Sequence, residues 1–429
     1  MKVKNPDFFK QTPLRTIALQ LIEEALMSID TAHALTSRVA LDGNDLVVDG
    51  VRFPLPKGKL LVVGAGKCSA DALSALVPIL GSRLTAGFVI DVTTRPMPAH
   101  CSVVAGNHPY PTEVNVAHTR QLLSLLENLS TEDAVIFLIS GGGTVLLSAP
   151  PDGFSVHEEA ALVKLLFRGG ADIHAMNTVR KHLSHARGGF LAKAAYPARS
   201  LALIFSDVPG DDLGFISSGP TVRDTTSLKD ARGVLGEYGV NAPEAKKAES
   251  FLLETPKDAK FFTNSTSKLF MSNTVALGAM AEIAQKLGFT PQVKTHTLCG
   301  LAASVGERMS NDIALAPARS CLLWGGETTV RIVGSGIGGR NREVALSALK
   351  TLPANCLVGA LASDGVDNGP CAGAVVDETI RLRAAEKKVN AEAYLANNDS
   401  HHFFHAVGGE METGPTGSNV ADLLFALKE

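Results

Sequence analysis

The sequence predicts a globular α/β protein of two or three domains, built on parallel sheets. The chain has 429 residues, of which 45% are hydrophobic and 40 are glycines. It is therefore too long for one ordinary hydrophobic core and too apolar to be disordered. Apolar, β-rich runs alternate with helical patterns, which is typical of parallel strands covered by helices on both faces.

The elements follow one another in the order that this fold class requires. Residues 228–262 are more charged and contain no strong strand, so we expect a domain junction near 225–265. The predicted strands are 60–63, 86–90, 134–139, 201–205, 320–324, 328–333 and 356–361. The predicted helices are 69–80, 114–128, 157–168, 271–287, 300–315 and 341–350.

Composition narrows the class of partner. The chain carries 40 Lys and Arg against 43 Asp and Glu, a net charge of −3 without a basic tract. This balance argues against nucleic acid or an anionic membrane as a partner. No apolar run approaches a membrane span of roughly 20 residues, and the N-terminus lacks the apolar core of a signal peptide. Six scattered cysteines without a CxxC pair indicate reduced thiols, so we expect a cytoplasmic protein acting on small molecules.

A run of three glycines follows the apolar strand 134–139. In ISGGGT, Ser140 precedes Gly141, Gly142 and Gly143 at the end of that predicted strand. Ligands of open α/β sheets collect beyond the carboxyl ends of the strands. Successive backbone N–H groups without side chains attract an anion there. We therefore predict that these four residues bind a phosphate group.

A lysine interrupts another glycine turn, after the strand 60–63. In VVGAGKCSAD, Gly64 and Gly66 precede Lys67, and Ser69 stands where a dinucleotide-binding turn would carry its third glycine. A lysine at this point is typical of a phosphate-binding point charge. We predict that Gly64 and Gly66 contact the cofactor and that Lys67 neutralises the transferred phosphoryl group.

Further polar side chains follow other strands or open helices. Carboxylates at strand ends suit Mg²⁺, which prefers oxygen ligands, although such aspartates are often only helix caps. An anion cradle, basic groups and acidic groups together indicate phosphoryl transfer. His401, His402 and His405 have no acidic partner at a fixed spacing, so a metal site there is not expected. The candidates are Asp207 and Asp364 for Mg²⁺ or proton transfer, Glu327 for cofactor contact, and Asn177, Arg180 and Lys181 for an anion.

A second motif suggests another function. GSGIGGRNRE (334–343) contains the pattern GxGxxG after the strand-like 328–333 and opens a helix. This partly meets the fingerprint of a dinucleotide site, although a lone GxGxxG is weak support. Arg340, directly after these glycines, could instead hold a carboxylate or phosphoryl group through both arms of its guanidinium. A structural ion pair with Glu327 or Glu343 is the alternative for Arg340.

Seven motifs in order resemble the class II glycerate kinases (glycerate 2-kinases) with their C-terminal MOFRL domain. These motifs are LISGGGTVLLSAP, MNTVRKHLSHARGGFLA, SDVPGDDLGFISSGPTVRD, GGETTVRI, GGRNREVALSAL, SDGVDNGPCAGAVVD and PTGSNVADLLFAL. The resemblance implies a Rossmann-like N-terminal domain with a parallel sheet (1–250, with 415–429 as an optional addition) and a smaller C-terminal α/β MOFRL domain (251–414). It places the active site between these domains.

The resemblance also implies an activity. ATP and Mg²⁺ would serve the phosphorylation of D-glycerate at its 2-hydroxyl, with Lys67 and Arg340 in catalytic positions. Asp207 is a further catalytic candidate on its own account, because it stands at the end of a predicted strand. Some similar sequences are labelled hydroxypyruvate reductases, so an NAD(P)H-dependent reductase and a kinase of a related sugar acid stay open as alternatives. Asn107 stands where relatives tend to have glycine. The chain is expected to be a monomer or a homodimer.

Overall fold

The computed structural model describes the whole chain, Met1–Glu429, as two compact units. We call the first the parallel-sheet unit; it comprises Ala34–Ser206 and Asp211–Phe270. The second, the mixed-sheet unit, comprises Met1–His33, Asp207–Gly210 and Met271–Glu429.

The structure contains fifteen strands and eighteen α-helices. The strands are β1 Val39–Asp42, β2 Asp45–Val48, β3 Val51–Pro54, β4 Leu60–Ala65, β5 Ala86–Asp91, β6 Cys101–Ala105, β7 Ala134–Ser140, β8 Arg199–Phe205, β9 Ser265–Met271, β10 Thr290–Leu298, β11 Ser320–Gly326, β12 Cys356–Ala362, β13 Gly373–Asp377, β14 Glu410–Met411 and β15 Asp422–Lys428. The helices are α1 Pro6–Phe9, α2 Pro13–Ser28, α3 Thr31–Arg38, α4 Ser69–Leu80, α5 Glu113–Leu125, α6 Gly143–Leu146, α7 Val156–Arg168, α8 Ile173–His182, α9 Phe190–Ala195, α10 Leu228–Tyr238, α11 Pro243–Glu249, α12 Lys260–Thr263, α13 Asn273–Lys286, α14 Ala302–Leu315, α15 Arg340–Ala348, α16 Glu378–Glu386, α17 Ala391–Ala396 and α18 Ser400–Val407.

The parallel-sheet unit is organised around a six-stranded sheet in the order β6-β5-β4-β7-β8-β9. The pairs β6–β5, β5–β4, β4–β7 and β7–β8 are all parallel. Every residue of β4 and β7 is buried, as expected for central strands of a sheet with both faces covered. A separate antiparallel sheet, β1-β2-β3, belongs to the same unit. The predicted α/β class with a Rossmann-like parallel sheet is confirmed.

The mixed-sheet unit contains the second six-stranded sheet, in the order β10-β11-β15-β12-β13-β14. Only the pair β10–β11 is parallel. Strand β15 lies between β11 and β12 and is antiparallel to both, and the pairs β12–β13 and β13–β14 are also antiparallel. The expectation that the sheets would be parallel is therefore wrong for this unit. Its core is formed by apolar side chains of α14, α15, β12 and β15, for example Met309, Val344, Val358 and Leu424.

The two units divide the chain at other points than the predicted domain ranges. Arg15 on α2 is fully buried and donates from Nε and Nη2 to both carboxylate oxygens of Asp377 at 2.7 Å, which ties the N-terminal helix to the mixed-sheet unit. The terminal strand β15 also lies in this unit rather than with the parallel sheet. Residues 211–270, where the junction was expected, stay with the parallel-sheet unit through the helices α10 and α11.

Six of the seven predicted strands are present, at β4, β5, β7, β8, β11 and β12. The predicted strand 328–333 is wrong, because this segment forms only an isolated bridge between Thr329 and Leu301. Its alternating pattern resembles a strand, but Val330 is only half-buried and Ile332 is exposed. No helix of the structure combines the length and apolar character needed to cross a membrane.

Candidate functional site

The carboxyl ends of β4 and β7 meet at the point where the strand order of the parallel sheet changes direction. From β4 the chain continues to β5 and β6 on one side of the sheet, then returns to β7 on the other. Crevices at such switch points are the usual ligand sites of open α/β sheets. Both glycine turns predicted from the sequence, Gly64–Lys67 and Ser140–Gly143, begin within the last residues of these two strands.

Gly64 and Gly66 allow β4 and β7 to approach closely. A Cβ atom on Gly64 would overlap the backbone carbonyl of Leu138, and one on Gly66, where φ is 139°, would overlap Ser140. The N–H of Lys67 donates to the carbonyl of Gly141 at 3.0 Å. The backbone donors of this first turn are therefore engaged within the protein, and the turn presents the side chain of Lys67. Contact of Gly64 and Gly66 with a cofactor stays a prediction.

The triple-glycine turn has the opposite character. The backbone N–H groups of Gly141, Gly142 and Gly143 donate to no protein acceptor, and the first two residues are half-exposed. Gly142 has a φ of 85° and precedes the short helix α6. Three consecutive backbone donors without a protein acceptor are suited to an anion.

Lys67 lies over this turn. A Cβ atom placed on Gly142 would be 3.2 Å from both Cγ and Cε of Lys67 and 3.5 Å from Cδ2 of His108. The ammonium group is exposed and has no carboxylate within ion-pair distance. A cation without a partner beside unused N–H donors is an arrangement that an anionic ligand completes. His108 was not among the residues predicted from the sequence.

Two serines in left-handed conformation form hydrogen bonds to the residues on either side of the triple-glycine turn. Ser217 (φ 52°) donates from its hydroxyl to the carbonyl of Ser140 at 2.6 Å. Ser218 (φ 60°) contacts the hydroxyl of Thr144 at 3.1 Å and donates to Oδ1 of Asn177 at 3.4 Å. Non-glycine residues in this region of φ are strained by about 1–3 kcal/mol and cluster at functional sites. Asn177 therefore supports the turn through Ser218.

Lys181 has a buried partner. Its ammonium group lies 3.1 Å from Asp224 in a pocket of about 350 Å³ that Asn177 also lines. Burial alone would raise the pKa of Asp224, but Lys181 and Thr226 hold it below its ordinary value. Lys181 is thus half of an ion pair, and its contact with a cofactor stays a prediction. Burial, together with the charge of Arg187, lowers the pKa of Arg180, which has no ion-pair partner.

In the mixed-sheet unit, Arg340 is the first residue of α15 and is held by two carboxylates. Its Nε and Nη2 donate to Oδ2 and Oδ1 of Asp422 at 2.6 and 2.9 Å. Its Nη1 lies 2.5 Å from Glu327, whose side chain is half-exposed. The side of the guanidinium that carries Nε is therefore occupied, and only the end formed by Nη1 and Nη2 can meet a ligand. Of the two ion pairs considered, the one with Glu327 is present, and Asp422 was missed.

Asp422 is fully buried at the start of the central strand β15. Burial raises its pKa to about 6, although the hydrogen bonds and charge of Arg340 act in the opposite direction. Burial would lower the pKa of Arg340, but Asp422 and Glu327 raise it above its ordinary value. Arg340 is consequently a permanent cation with a fixed orientation. A cavity of about 750 Å³ opens beside it, lined also by Glu327, Glu343 and Asn398.

The glycines before Arg340 pack against a turn of the protein itself. The consecutive backbone N–H groups of residues 333–337 donate to Asn397, Asn398 and Asp399 at 2.7–3.1 Å. A Cβ atom on Gly334 or Gly336 would overlap Asn397. These donors are unavailable to a pyrophosphate, and no strand precedes them. The GxGxxG pattern here is therefore not a dinucleotide site.

The carboxylates predicted to bind metal lie at strand ends, as expected. Asp364, two residues after β12, is half-buried, and its Oδ1 accepts from the N–H of Val366 at 3.0 Å. Asp207, two residues after β8, is also half-buried. No group of three or more His, Cys, Asp or Glu side chains is arranged to hold a metal ion. Asp367, which the sequence analysis passed over, caps α15 by accepting from the N–H groups of Asn341 and Arg342.

One further carboxylate bears on a nicotinamide cofactor. Asp91 ends β5, the strand after the Lys67 turn, where a dinucleotide fold carries its ribose ligand. Here Asp91 is only 2% exposed, and its oxygens accept from the N–H groups of Ala70 and Val92 at 2.9 and 2.6 Å. It caps α4 and offers no oxygen to a ribose.

Comparisons with known proteins cover most of this chain. The family described as "Domain of unknown function (DUF4147)" matches residues 17–252, and the MOFRL family matches residues 320–422. A glycerate 2-kinase of Pyrococcus horikoshii is 34% identical over 96% of this chain and 97% of that protein. A putative hydroxypyruvate reductase of Agrobacterium vitis is 36% identical over 86% of this chain and 87% of that protein.

The fold agrees with a solved structure of the same kind. The crystal structure of a glycerate kinase from Thermotoga maritima superposes with a TM-score of 0.86 at 31% identity, covering 97% of this chain and 99% of that one. Similarity of sequence and of fold over nearly the full length of both chains leads to one conclusion: the protein belongs to the class II glycerate kinase family, with a DUF4147 domain followed by a C-terminal MOFRL domain.

Proposed function

We propose that the protein is a glycerate 2-kinase, which transfers the γ-phosphoryl group of ATP to the 2-hydroxyl of D-glycerate and releases 2-phosphoglycerate and ADP. One observation carries the proposal: Lys67, a cation without a partner, lies over three unused backbone donors at the switch point of the parallel sheet. Relatives named glycerate 2-kinase over nearly the full chain length supply the substrate class.

In this reaction the protein mainly positions the reactants and stabilises charge. Negative charge spreads over the oxygens of the transferred phosphoryl group, and fixed donors aimed at those oxygens lower the barrier. Gly141, Gly142 and Gly143 would bind phosphate oxygens through their N–H groups, with Ser140 anchoring the turn. Lys67 would neutralise the charge that develops on the transferred group.

Arg340 would contribute the exposed end of its guanidinium to an anionic group, either the carboxylate of glycerate or a phosphate oxygen. Asp422 holds the other side of the guanidinium, so the orientation of the free end is fixed before the ligand arrives. Glu327 occupies part of that end and is half-exposed. An incoming anion would displace Glu327, which could then contact the cofactor.

Mg²⁺ is the expected metal, with Asp207 and Asp364 as its candidate ligands or as acceptors of the hydroxyl proton. Mg²⁺ is usually bound through one or two carboxylates together with substrate phosphates, so these residues fit without a dedicated cage of protein ligands. The Oδ2 atom of Asp364 has no protein donor. When bound, the metal would neutralise charge on the β- and γ-phosphates.

Reduction of hydroxypyruvate by NAD(P)H is the competing function, supported by the names of two Agrobacterium vitis relatives. The engaged donors of residues 333–337 and the buried carboxylate of Asp91 argue against a nicotinamide site. A kinase of a related sugar acid would use the same geometry, so the acceptor has to be tested directly.

The test identifies the product. Purified protein is incubated with ATP, Mg²⁺ and D-glycerate, and the phosphorylated carbon is assigned by ³¹P and ¹H NMR. We expect 2-phosphoglycerate, with ADP formed in equal amount and no turnover in excess EDTA. Consumption of NADH or NADPH with hydroxypyruvate, without release of ADP from glycerate, would contradict the proposal. 3-Phosphoglycerate as the product would contradict its regiochemistry.

A further inference from the structure

A loop between β6 and α5 brings an imidazole to the triple-glycine turn. The loop runs from Asn107 to Thr112, and its exposed His108 lies beside Lys67 over Gly142. The imidazole of His108, the side chain of Lys67 and the backbone of Gly142 come from segments that are distant in sequence. Their meeting at one point above the parallel sheet therefore depends on how the loop is held.

The buried side chain of Asn115 links this loop to α6, the helix that begins at Gly143. Oδ1 of Asn115 accepts from the N–H groups of Asn107 and Thr112 at 3.0 and 3.1 Å, so it closes the loop at both ends. Nδ2 of Asn115 donates to the carbonyls of Asn107 and of Val145 on α6 at 3.0 and 3.2 Å. All the hydrogen-bonding capacity of this fully buried amide is used to hold the loop against the glycine turn.

The imidazole itself is left without a partner. Neither ring nitrogen of His108 makes a hydrogen bond or an ion pair with the protein. Partial burial lowers the pKa of His108, and the charge of Lys67, the one charged group that acts on it, lowers it further. Both effects favour the neutral form of the ring, which has a basic nitrogen available beside the side chain of Lys67.

We propose that His108 is a catalytic residue that accepts the proton of the acceptor hydroxyl during phosphoryl transfer, an inference that rests on the kinase function proposed above. The hydroxyl O–H bond breaks and its proton passes to a ring nitrogen of His108. The hydroxyl oxygen bonds to the γ-phosphorus, and the bond from that phosphorus to the bridging oxygen of ADP breaks. The imidazolium then releases its proton to solvent. Asp207 and Asp364 are thereby left to the metal.

The position of His108 suits this step better than it suits phosphate binding alone. A neutral imidazole adds little to the charge that Lys67 and the backbone donors already supply. It can instead remove a proton as the oxygen becomes bonded to phosphorus, which is the usual role of a positioned imidazole in general base catalysis. Partial burial and the neighbouring ammonium of Lys67 both favour the unprotonated form that accepts the proton.

The test replaces the base and then supplies one from solution. We expect His108→Ala to lower kcat for D-glycerate by about 100-fold or more, the range of a lost general base, with KM for ATP within about 3-fold of wild type. Free imidazole should restore turnover in proportion to the concentration of its unprotonated form. Substituted imidazoles of higher pKa should restore it more strongly.

Two further variants control this experiment. His157→Ala removes an imidazole from α7 that is 78% exposed and pairs loosely with Glu113, so it should keep the wild-type kcat with or without imidazole. His108→Gln keeps the bulk of the side chain but lacks the basic nitrogen. It should show the same loss of kcat, and it serves as the test if the alanine variant does not fold. Circular dichroism melting curves establish that each variant is folded.

Three results would overturn the role of His108: an unchanged kcat in both variants, a change confined to the KM for ATP, or a lower kcat that no imidazole restores. Failure of the proposed function would be different, because the wild-type protein itself would then release no ADP with D-glycerate.

Discussion

The two glycine-rich segments, 140–143 and 334–339, look alike in sequence and serve opposite purposes in the structure. In the first, three consecutive backbone N–H groups have no protein acceptor and lie beside an unpaired lysine. Around the second, the N–H groups of 333–337 are bonded to the turn at 397–399. Absence of side chains thus leaves backbone donors without a protein acceptor in one case and permits close approach of the chain itself in the other.

The preceding and following residues decide which purpose a glycine segment serves. Ser140–Gly143 stands at the carboxyl end of the buried strand β7, at the switch point where open α/β sheets usually bind ligands. The segment 334–339 follows no strand and leads into α15, whose first residue is Arg340. There the guanidinium reaches Asp422 on the central strand of the other sheet.

The largest effect is expected where the first segment meets its cation. Lys67→Met should lower kcat by roughly 10²–10³, as does removal of one preorganised donor from a charged transition state. The fold should persist, because the ammonium makes no ion pair within the protein. Steady-state assay of ADP release measures the loss, and Lys57→Met, at an exposed site before β4, is the matched control. Wild-type turnover in folded Lys67→Met would leave the triple-glycine turn without its proposed partner.

The second segment should respond through the orientation of Arg340. Arg340→Lys keeps the charge, but a lysine cannot bridge both oxygens of Asp422 while presenting a second edge to a ligand. We expect kcat/KM for D-glycerate to fall by about 10–100-fold, the effect of losing about 1.4–2.8 kcal/mol of transition-state stabilisation. Asp422→Asn should impair the same constant. If Arg340→Lys keeps wild-type constants while remaining folded, Arg340 serves only as a structural ion-pair member.

Alanine in each glycine segment separates the two purposes directly. Gly142→Ala places a methyl group 3.2 Å from Lys67 at a φ of 85°, so we expect kcat to fall by about tenfold, which corresponds to about 1.4 kcal/mol of lost transition-state stabilisation. Gly336→Ala drives a methyl group into the backbone of Asn397 and should instead lower the free energy of unfolding by about 1–3 kcal/mol. Urea unfolding and ADP release are measured for both variants. If both variants lose stability and activity to the same extent, the two glycine segments do not differ in purpose.

The sequence was sufficient to predict the turn at 140–143. It was insufficient to predict what the backbone around 334–339 contacts. β7 and the three glycines are consecutive, so a local pattern contains the whole turn. The partners of 333–337 lie about 60 residues away, and Asp422 lies 82 residues beyond Arg340, distances at which periodicity carries no information.

Long-range pairing also explains the missed residues. The loop that carries His108 is held beside the glycine turn by Asn115, which donates to a carbonyl of α6, 30 residues further along the chain. The antiparallel insertion of β15 between β11 and β12 cannot be read from an apolar run, because strand order depends on the whole sheet. The family resemblance supplied the activity, and the structure supplied the contacts that the motifs leave unstated.

The smallest expected effect is a shift in the titration of Asp422, the group on which the second segment depends. Its pKa of about 6 lies above the roughly 3.9 of an unfolded aspartate. The folded protein therefore binds this proton more tightly, and the resulting contribution to stability is complete below about pH 4 and is lost as the pH rises through 6. In protein labelled with ¹³C at Asp carboxyl carbons, one resonance should titrate with a midpoint near 6 and should be missing in Asp422→Asn. Arg340→Met removes the hydrogen bonds and the charge that lower this pKa, so the midpoint should move upward. A midpoint near 4 in the wild type, unchanged in Arg340→Met, would mean that the pair with Arg340 does not form in solution.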